Sequence, residues 1–181
     1  MINRIRWWHV TLLGLLLFAA GCQETGNQGT GGNERSNGEG AAYLLAEEPA
    51  GAKGVREVKE TATDGEEIVV EGRVGGGNKP FLDGLAGFTI VDPALKSCSD
   101  IPGDNCETPW DYCCEDQTEV NKGMAFVKIV DEGGETLKKD ARSLLGLDLL
   151  QTVVVRGKAK RDANGNLTVL ASALYVRGKK P

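Results

Sequence analysis

Ile68-Val69-Val70-Glu71-Gly72-Arg73-Val74 decides the fold. Ile68, Val70, Gly72 and Val74 fall on one side and Val69, Glu71 and Arg73 on the other, the two-residue period of a strand with one buried face. Gly72, and then Gly75-Gly76-Gly77, allow a sharp bend or bulge, the device by which a short sheet curls toward closure. Outward from this strand, Ala86–Val91 (Phe88 and Ile90 on one face) and Met124–Val130 (Ala125, Val127, Ile129) are short and rich in β-branched residues. Gln151–Lys160 and Leu167–Arg177 give two more strands, joined through Asn164-Gly165, a strong hairpin signal.

Between the third and fourth strands, Leu137, Ala141, Leu144 and Leu145 follow helical spacing and Gly146 ends the run. Three strands, one short helix and two strands predict a mainly β domain. Its expected form is a small five-stranded OB-like Greek-key barrel, with the helix plugging one end and a long cysteine-containing loop between strands 2 and 3. Closure removes the edges that a small antiparallel sheet exposes; an open sheet or sandwich is the alternative. The stretch Tyr43–Lys59 fits either a leading strand or a helix.

The N-terminus states where the domain works. Arg4 and Arg6 precede an apolar run from Val10 to Ala20, and Ala19-Ala20-Gly21 stands directly before Cys22. This is the layout of a cleaved export signal over residues 1–21, too short in its apolar part to span a bilayer. Ala19-Ala20-Gly21-Cys22 resembles a bacterial lipobox, which implies lipidation of Cys22 and hence a membrane partner reached through that lipid. Residues 22–42, rich in Gly, Asn, Gln, Ser and Glu, read as a flexible tether, and 43–181 as the single domain. Gln23 after Cys22 suggests outer-membrane sorting; the expected location is the periplasmic side of the outer or inner membrane.

Cleavage before Cys22 removes His9, the only histidine, and leaves 19 basic against 26 acidic residues. Imidazole catalysis and imidazole-ligated zinc or haem are thereby excluded for the mature chain, and a net acidic chain gains nothing from phosphate backbones. For acid–base work only carboxylates remain, and pairs such as Glu66-Glu67 and Glu115-Asp116 read as surface groups. Gly75-Gly76-Gly77-Asn78-Lys79-Pro80 lacks the ending of a phosphate-binding loop and reads as a flexible turn. No catalytic residue and no cofactor is signalled.

Cys98, Cys106, Cys113 and Cys114 lie within 17 positions of the excursion Pro93–Gly123. In an exported chain they predict two disulfides, either Cys98–Cys113 with Cys106–Cys114 or Cys98–Cys114 with Cys106–Cys113, since adjacent cysteines rarely pair. A closed loop of this size contributes about 3 kcal/mol in the chain-entropy description. The competing readings are a thiolate metal or redox site, against which the missing C-x-x-C spacing counts, and calcium on Asp100, Asp104, Asp111, Glu115 and Asp116.

The run Val91-Asp92 through Ser97-Cys98-Ser99-Asp100-Ile101-Pro102-Gly103-Asp104-Asn105-Cys106 to Glu107-Thr108-Pro109-Trp110-Asp111-Tyr112-Cys113-Cys114-Glu115 resembles that of uncharacterised exported proteins of planctomycete-type bacteria, which are predicted lipoproteins with an OB-like domain. The resemblance covers roughly Tyr43 to Arg177 and implies fold and location, not activity.

Two surfaces are candidates for binding. Arg156, Lys158 and Lys160 alternate with Val155, Gly157 and Ala159 and project from one face of the fourth strand, with Arg161 and Arg73 as extensions; an OB barrel binds oligonucleotides or glycans across such a face. The excursion is acidic, with eight carboxylates and one lysine between Asp92 and Glu119, and could itself lie against that stripe. Trp110 and Tyr112, held rigid beside Cys113 and Cys114, are the expected contacts for an envelope protein or glycan. Export makes nucleic acid the poorer partner.

Overall fold

A computed structural model describes residues 38–178. The expected export signal, Cys22 and most of the expected tether lie outside the described residues.

The described chain is mainly sheet: six strands form one mixed sheet, with a few short helices. β1 (Lys53–Gly54) leads into helix α2 (Val55–Thr61), which follows a single turn, α1 (Gly38–Ala41). The five long strands are β2 (Glu67–Val74), β3 (Gly87–Val91), β4 (Met124–Ile129), β5 (Thr152–Arg161) and β6 (Leu167–Val176). Helices α3 (Gln117–Gly123) and α4 (Ala141–Leu145) precede β4 and β5.

Every alternate residue of β2 from Ile68 to Val74 is buried, as the sequence pattern requires. β2 pairs antiparallel with β3 at one end, through Arg73↔Val91 and Val74↔Ile90, and along nearly its whole length with β5, from Glu67↔Lys158 to Arg73↔Thr152. β3 pairs antiparallel with β4, β4 parallel with β6, and β6 antiparallel with β5. Two glycines make close approaches possible. A Cβ on Gly72 would stand 2.7 Å from the Ile90 side chain, and one on Gly157, opposite the bulge in β6 at Ser172, 2.2 Å from the Leu170 carbonyl oxygen.

The strand count is six rather than five because Lys53–Gly54 adds a two-residue parallel pairing, Lys53↔Val70 and Gly54↔Glu71, to the outer side of β2. The ambiguous stretch 43–59 thus splits. Tyr43 to Leu45 hydrogen-bonds to Leu174 of β6, and Val55 and Val58 of α2 enter the main core. The expected tether also ends earlier than residue 42. Gly40 is buried, its Cα so close to the Leu144 carbonyl that a Cβ would overlap it, and Glu39 pairs with Lys139.

The helix expected from Leu137 is shorter and starts later. Asp140 accepts hydrogen bonds from the Arg142 and Ser143 amides and so starts α4 at Ala141; Gly146, at φ 60°, ends it. Leu137 stays extended, exchanging backbone hydrogen bonds with Ile129 and Ala86, and packs on the core from outside the helix. The hairpin forms around Gly165 at φ 79°, with the Asp162 carboxylate accepting from the Asn164 and Asn166 amides.

Candidate functional site

The segment between β3 and β4 is built rather than loose. At its start Asp92, 6% exposed, accepts hydrogen bonds from the Arg56 and Ala94 amides, each at 2.9 Å. The residue before α2 is Gly54, which has no side chain to cap the helix, so Asp92 supplies the missing acceptor from across the fold. Five positions on, fully buried Ser97 and Asp100 form a capping box around a short 3-10 turn, Cys98–Asp100. Arg73 of β2 reaches out to Asp100 and to the Leu150 carbonyl. Burial works against the Asp100 charge, but the hydrogen bonds from Arg73 and Ser97 outweigh it and hold this carboxyl below the usual range.

The middle of the segment folds back on that turn. The Cys98 amide donates to the Asp111 carbonyl at 2.8 Å and the Ser99 amide to the Pro109 carbonyl at 2.9 Å. The seat for the returning strand is Gly75-Gly76-Gly77. The Gly76 amide donates to the Trp110 carbonyl at 3.0 Å, the Trp110 indole N–H to the Gly77 carbonyl at 3.2 Å, and the Gly77 amide to Asp111 Oδ1 at 2.9 Å. A Cβ on Gly75 would lie 2.6 Å from the Trp110 carbonyl oxygen. The glycine run, expected as a flexible turn, is a close-approach surface.

Trp110 is half-buried. Tyr112 is not a surface contact: it is 1% exposed and belongs to a second small core with Val91, Leu95 and Val120, against which Met124 packs. The Tyr112 hydroxyl is buried without a hydrogen-bond partner among the described residues, and burial pushes its pKa up to about 12.

The four cysteines converge. Cys98 is buried, Cys106 half-buried, Cys113 and Cys114 exposed, and all four are free. The Cys113 sulfur lies 3.3 Å from that of Cys98 and 3.9 Å from that of Cys106. Cys98, Cys113 and Cys114 sulfurs lie within 4.8 Å of one another. A disulfide needs about 2.05 Å, so neither expected pairing is formed here. Hydrogen bonds from the Thr108 hydroxyl and amide lower the Cys106 thiol pKa, whereas burial pushes that of Cys98 up to about 12.

The five carboxylates read as possible calcium ligands each serve the loop itself. Asp100 holds Ser97 and Arg73, and Asp104 accepts from the Cys106 amide. Asp111 accepts from Gly77 and Tyr112, Glu115 from Lys96, and Asp116 caps α3 through the Thr118 and Glu119 amides. This division of labour explains an acidic loop without an ion.

Arg156, Lys158 and Lys160 project, exposed, from one face of β5 as the alternation requires. Lys158 faces Glu67 at 3.8 Å. The extensions do not join them: Arg73 is committed to Asp100, and Arg161 donates to the Ala62 and Lys59 carbonyls, capping the end of α2. Nor does the acidic excursion cover the stripe. It is anchored at Arg73, and Lys158 pairs with Glu67 six residues along β2, roughly 20 Å away at the rise of a strand. The structure therefore holds two separate surfaces. Asp92 and Ser97 were missed as organising residues; Ser97-x-x-Asp100 carries a capping signature that the sequence does display.

No family model matches this chain, and no curated protein is significantly similar to it.

Proposed function

We propose that this chain is a noncatalytic binding module of the cell envelope, held at a membrane through a lipid on Cys22. Its body is an OB-type barrel of β2, β3, β4, β6 and β5, and its contact surface is the Cys-bearing excursion around Trp110. Support for the barrel comes from the pairing cycle: each of the five long strands has two neighbours, β5 returns to β2, and β4 runs parallel to β6. α4, between the third and fourth of these strands, buries Ala141, Leu144 and Leu145 in their common core.

The observation that carries the functional reading is the seating of Trp110. Its backbone and indole N–H are fixed on Gly76 and Gly77, while the residue stays partly exposed. An aromatic ring immobilised before contact loses little entropy on binding, the condition that makes such residues anchors. Tyr112, enclosed in the loop's own apolar cluster, is not a contact residue in this reading. The envelope assignment is supported by the sequence ahead of Cys22.

The test uses a photo-crosslinking residue at Glu107, beside the exposed part of the excursion, in intact cells. A discrete crosslinked envelope protein or glycan is expected, lost on Trp110→Ala with the far-ultraviolet dichroism unchanged. Retention of the same crosslink in Trp110→Ala refutes the site. Incorporation of labelled fatty acid, abolished by Cys22→Ala, tests the anchor; an unlabelled chain refutes it.

A second reading is supported by the free projection of Arg156, Lys158 and Lys160, which suits an anionic glycan.

A further inference from the structure

We infer that Cys98, Cys106, Cys113 and Cys114 form a binding site for one thiophilic metal ion of the zinc class. The inference stands apart from the anchor and from Trp110, so failure of either leaves it intact.

Four thiolates around one zinc ion at about 2.3 Å stand about 3.8 Å from one another. Cys98, Cys113 and Cys114 lie no more than 4.8 Å from one another, with 3.3 Å between Cys113 and Cys98, which brackets that value; Cys106, 3.9 Å from Cys113, stands outside this mutual set and closes in as the fourth ligand when the ion binds. Two disulfides need a different arrangement, two separate pairs with each sulfur committed to one partner. Here Cys113 has two sulfur neighbours within 4 Å, Cys98 and Cys106, rather than a single partner.

The convergence is set by the backbone. Cys98 opens the 3-10 turn, and its amide hydrogen bond to Asp111 brings the vicinal pair Cys113-Cys114 beneath it. Cys106 is placed by its own amide on Asp104 Oδ1, at 3.0 Å. No C-x-x-C turn is needed, because three separate local structures deliver the ligands to one point. The Thr108 hydroxyl lies 3.4 Å from the Cys106 sulfur, and Asp104 Oδ2 lies 3.8 Å from that of Cys114, adding negative potential that favours a cation. Sulfur-only ligation selects Zn2+, Cd2+ or Cu+ over Ca2+ and Mg2+. Exposed Cys113 and Cys114 give the ion a path in.

The experiment uses the full chain, isolated from cells without added reductant and under anaerobic conditions, with Co2+ and Zn2+ as probes. One Co2+ per chain is expected, with the visible bands of a tetrahedral thiolate complex. Zn2+ should displace it, Ca2+ should not, and bound Zn2+ should protect Cys113 and Cys114 from alkylation. Cys113→Ser, a change at an exposed position, should weaken binding by more than the roughly 100-fold that loss of a mere supporting hydrogen bond costs. Should that variant lose its native dichroism, the alkylation protection in the unaltered chain decides alone. Mass spectrometry showing two intact disulfides in the isolated chain overturns the inference, as do an octahedral Co2+ spectrum, unprotected thiols in excess Zn2+, or a folded Cys113→Ser chain that binds as before.

Discussion

Tyr112→Phe is expected to stabilise this protein, an unusual sign for a change at a fully buried site. The ring is 1% exposed and sits among Val91, Leu95, Val120 and Met124, and all of that contact survives in phenylalanine. What is removed is a hydroxyl buried without a partner among the described residues. A buried polar group left unpaired costs about 1–3 kcal/mol, so that is the expected gain, and for a domain of this size it corresponds to about 3–5 °C in Tm per kcal/mol. Tyr112→Ala removes the ring as well and is expected to lose about 3–5 kcal/mol, the usual cost of emptying an aromatic site. Urea denaturation of the three proteins, followed by far-ultraviolet dichroism and compared at a common m value, measures both. A Tyr112→Phe chain less stable than the parent by more than about 1 kcal/mol refutes the reasoning, since it requires a good hydrogen bond to that hydroxyl. The same variant separates packing from recognition: the partner captured at Glu107 is expected to be retained in full.

Gly75→Ala places a Cβ 2.6 Å from the Trp110 carbonyl oxygen and is expected to cost about 1–3 kcal/mol by overpacking. Trp110 is the only tryptophan after Cys22, so a red shift of its emission in the processed chain, with new protease cleavage confined to the excursion, reports the loosened seat; unchanged emission and cleavage speak against the seat. Replacing Arg156, Lys158 and Lys160 together by Gln is expected to abolish retention on a sulfated glycan column and to leave the Glu107 crosslink untouched, because the two surfaces lie roughly 20 Å apart along β2. Retention by the parent that does not fall steeply with salt removes the glycan reading.

The parts of this fold that the sequence displays are those in which neighbours along the chain carry the whole signal. The alternation in Ile68–Val74 requires one buried face and nothing else, and it appears unchanged in β2. Gly146 and Asn164-Gly165 mark a helix end and a hairpin because the backbone there needs left-handed φ. The parts that were illegible depend on partners far along the chain. α2 starts at Val55 because Asp92, 36 residues beyond Arg56, accepts from the Arg56 amide and caps it; a helix preceded by glycine shows no start signal of its own. The burial of Tyr112 depends on an apolar set spread from Val91 to Met124, too scattered for any period to reveal. α3 is the exception, since Asp116 followed by Glu119 is a visible capping pattern that the density of cysteines around it obscures.

The cysteines show the same limit in chemical form. Metal-site spacing rules express the common case in which one tight turn supplies two ligands, so C-x-x-C stands for a local geometry. Here the ligands come from a 3-10 turn, an Asx-type turn at Asp104 and a vicinal pair, and the link between them is the backbone pairing of Cys98 with Asp111. Spacing carries no information about such a site. Nor can spacing decide between bridges and thiolates, because a bond between any two of these sulfurs withdraws both from the metal. With Cys98 and Cys106 both within 4 Å of Cys113, the first oxidation would remove Cys113 and leave at most two ligands. Metal ligation and two disulfides are therefore mutually exclusive states of one cluster, and a single mass measurement on the unreduced chain separates them.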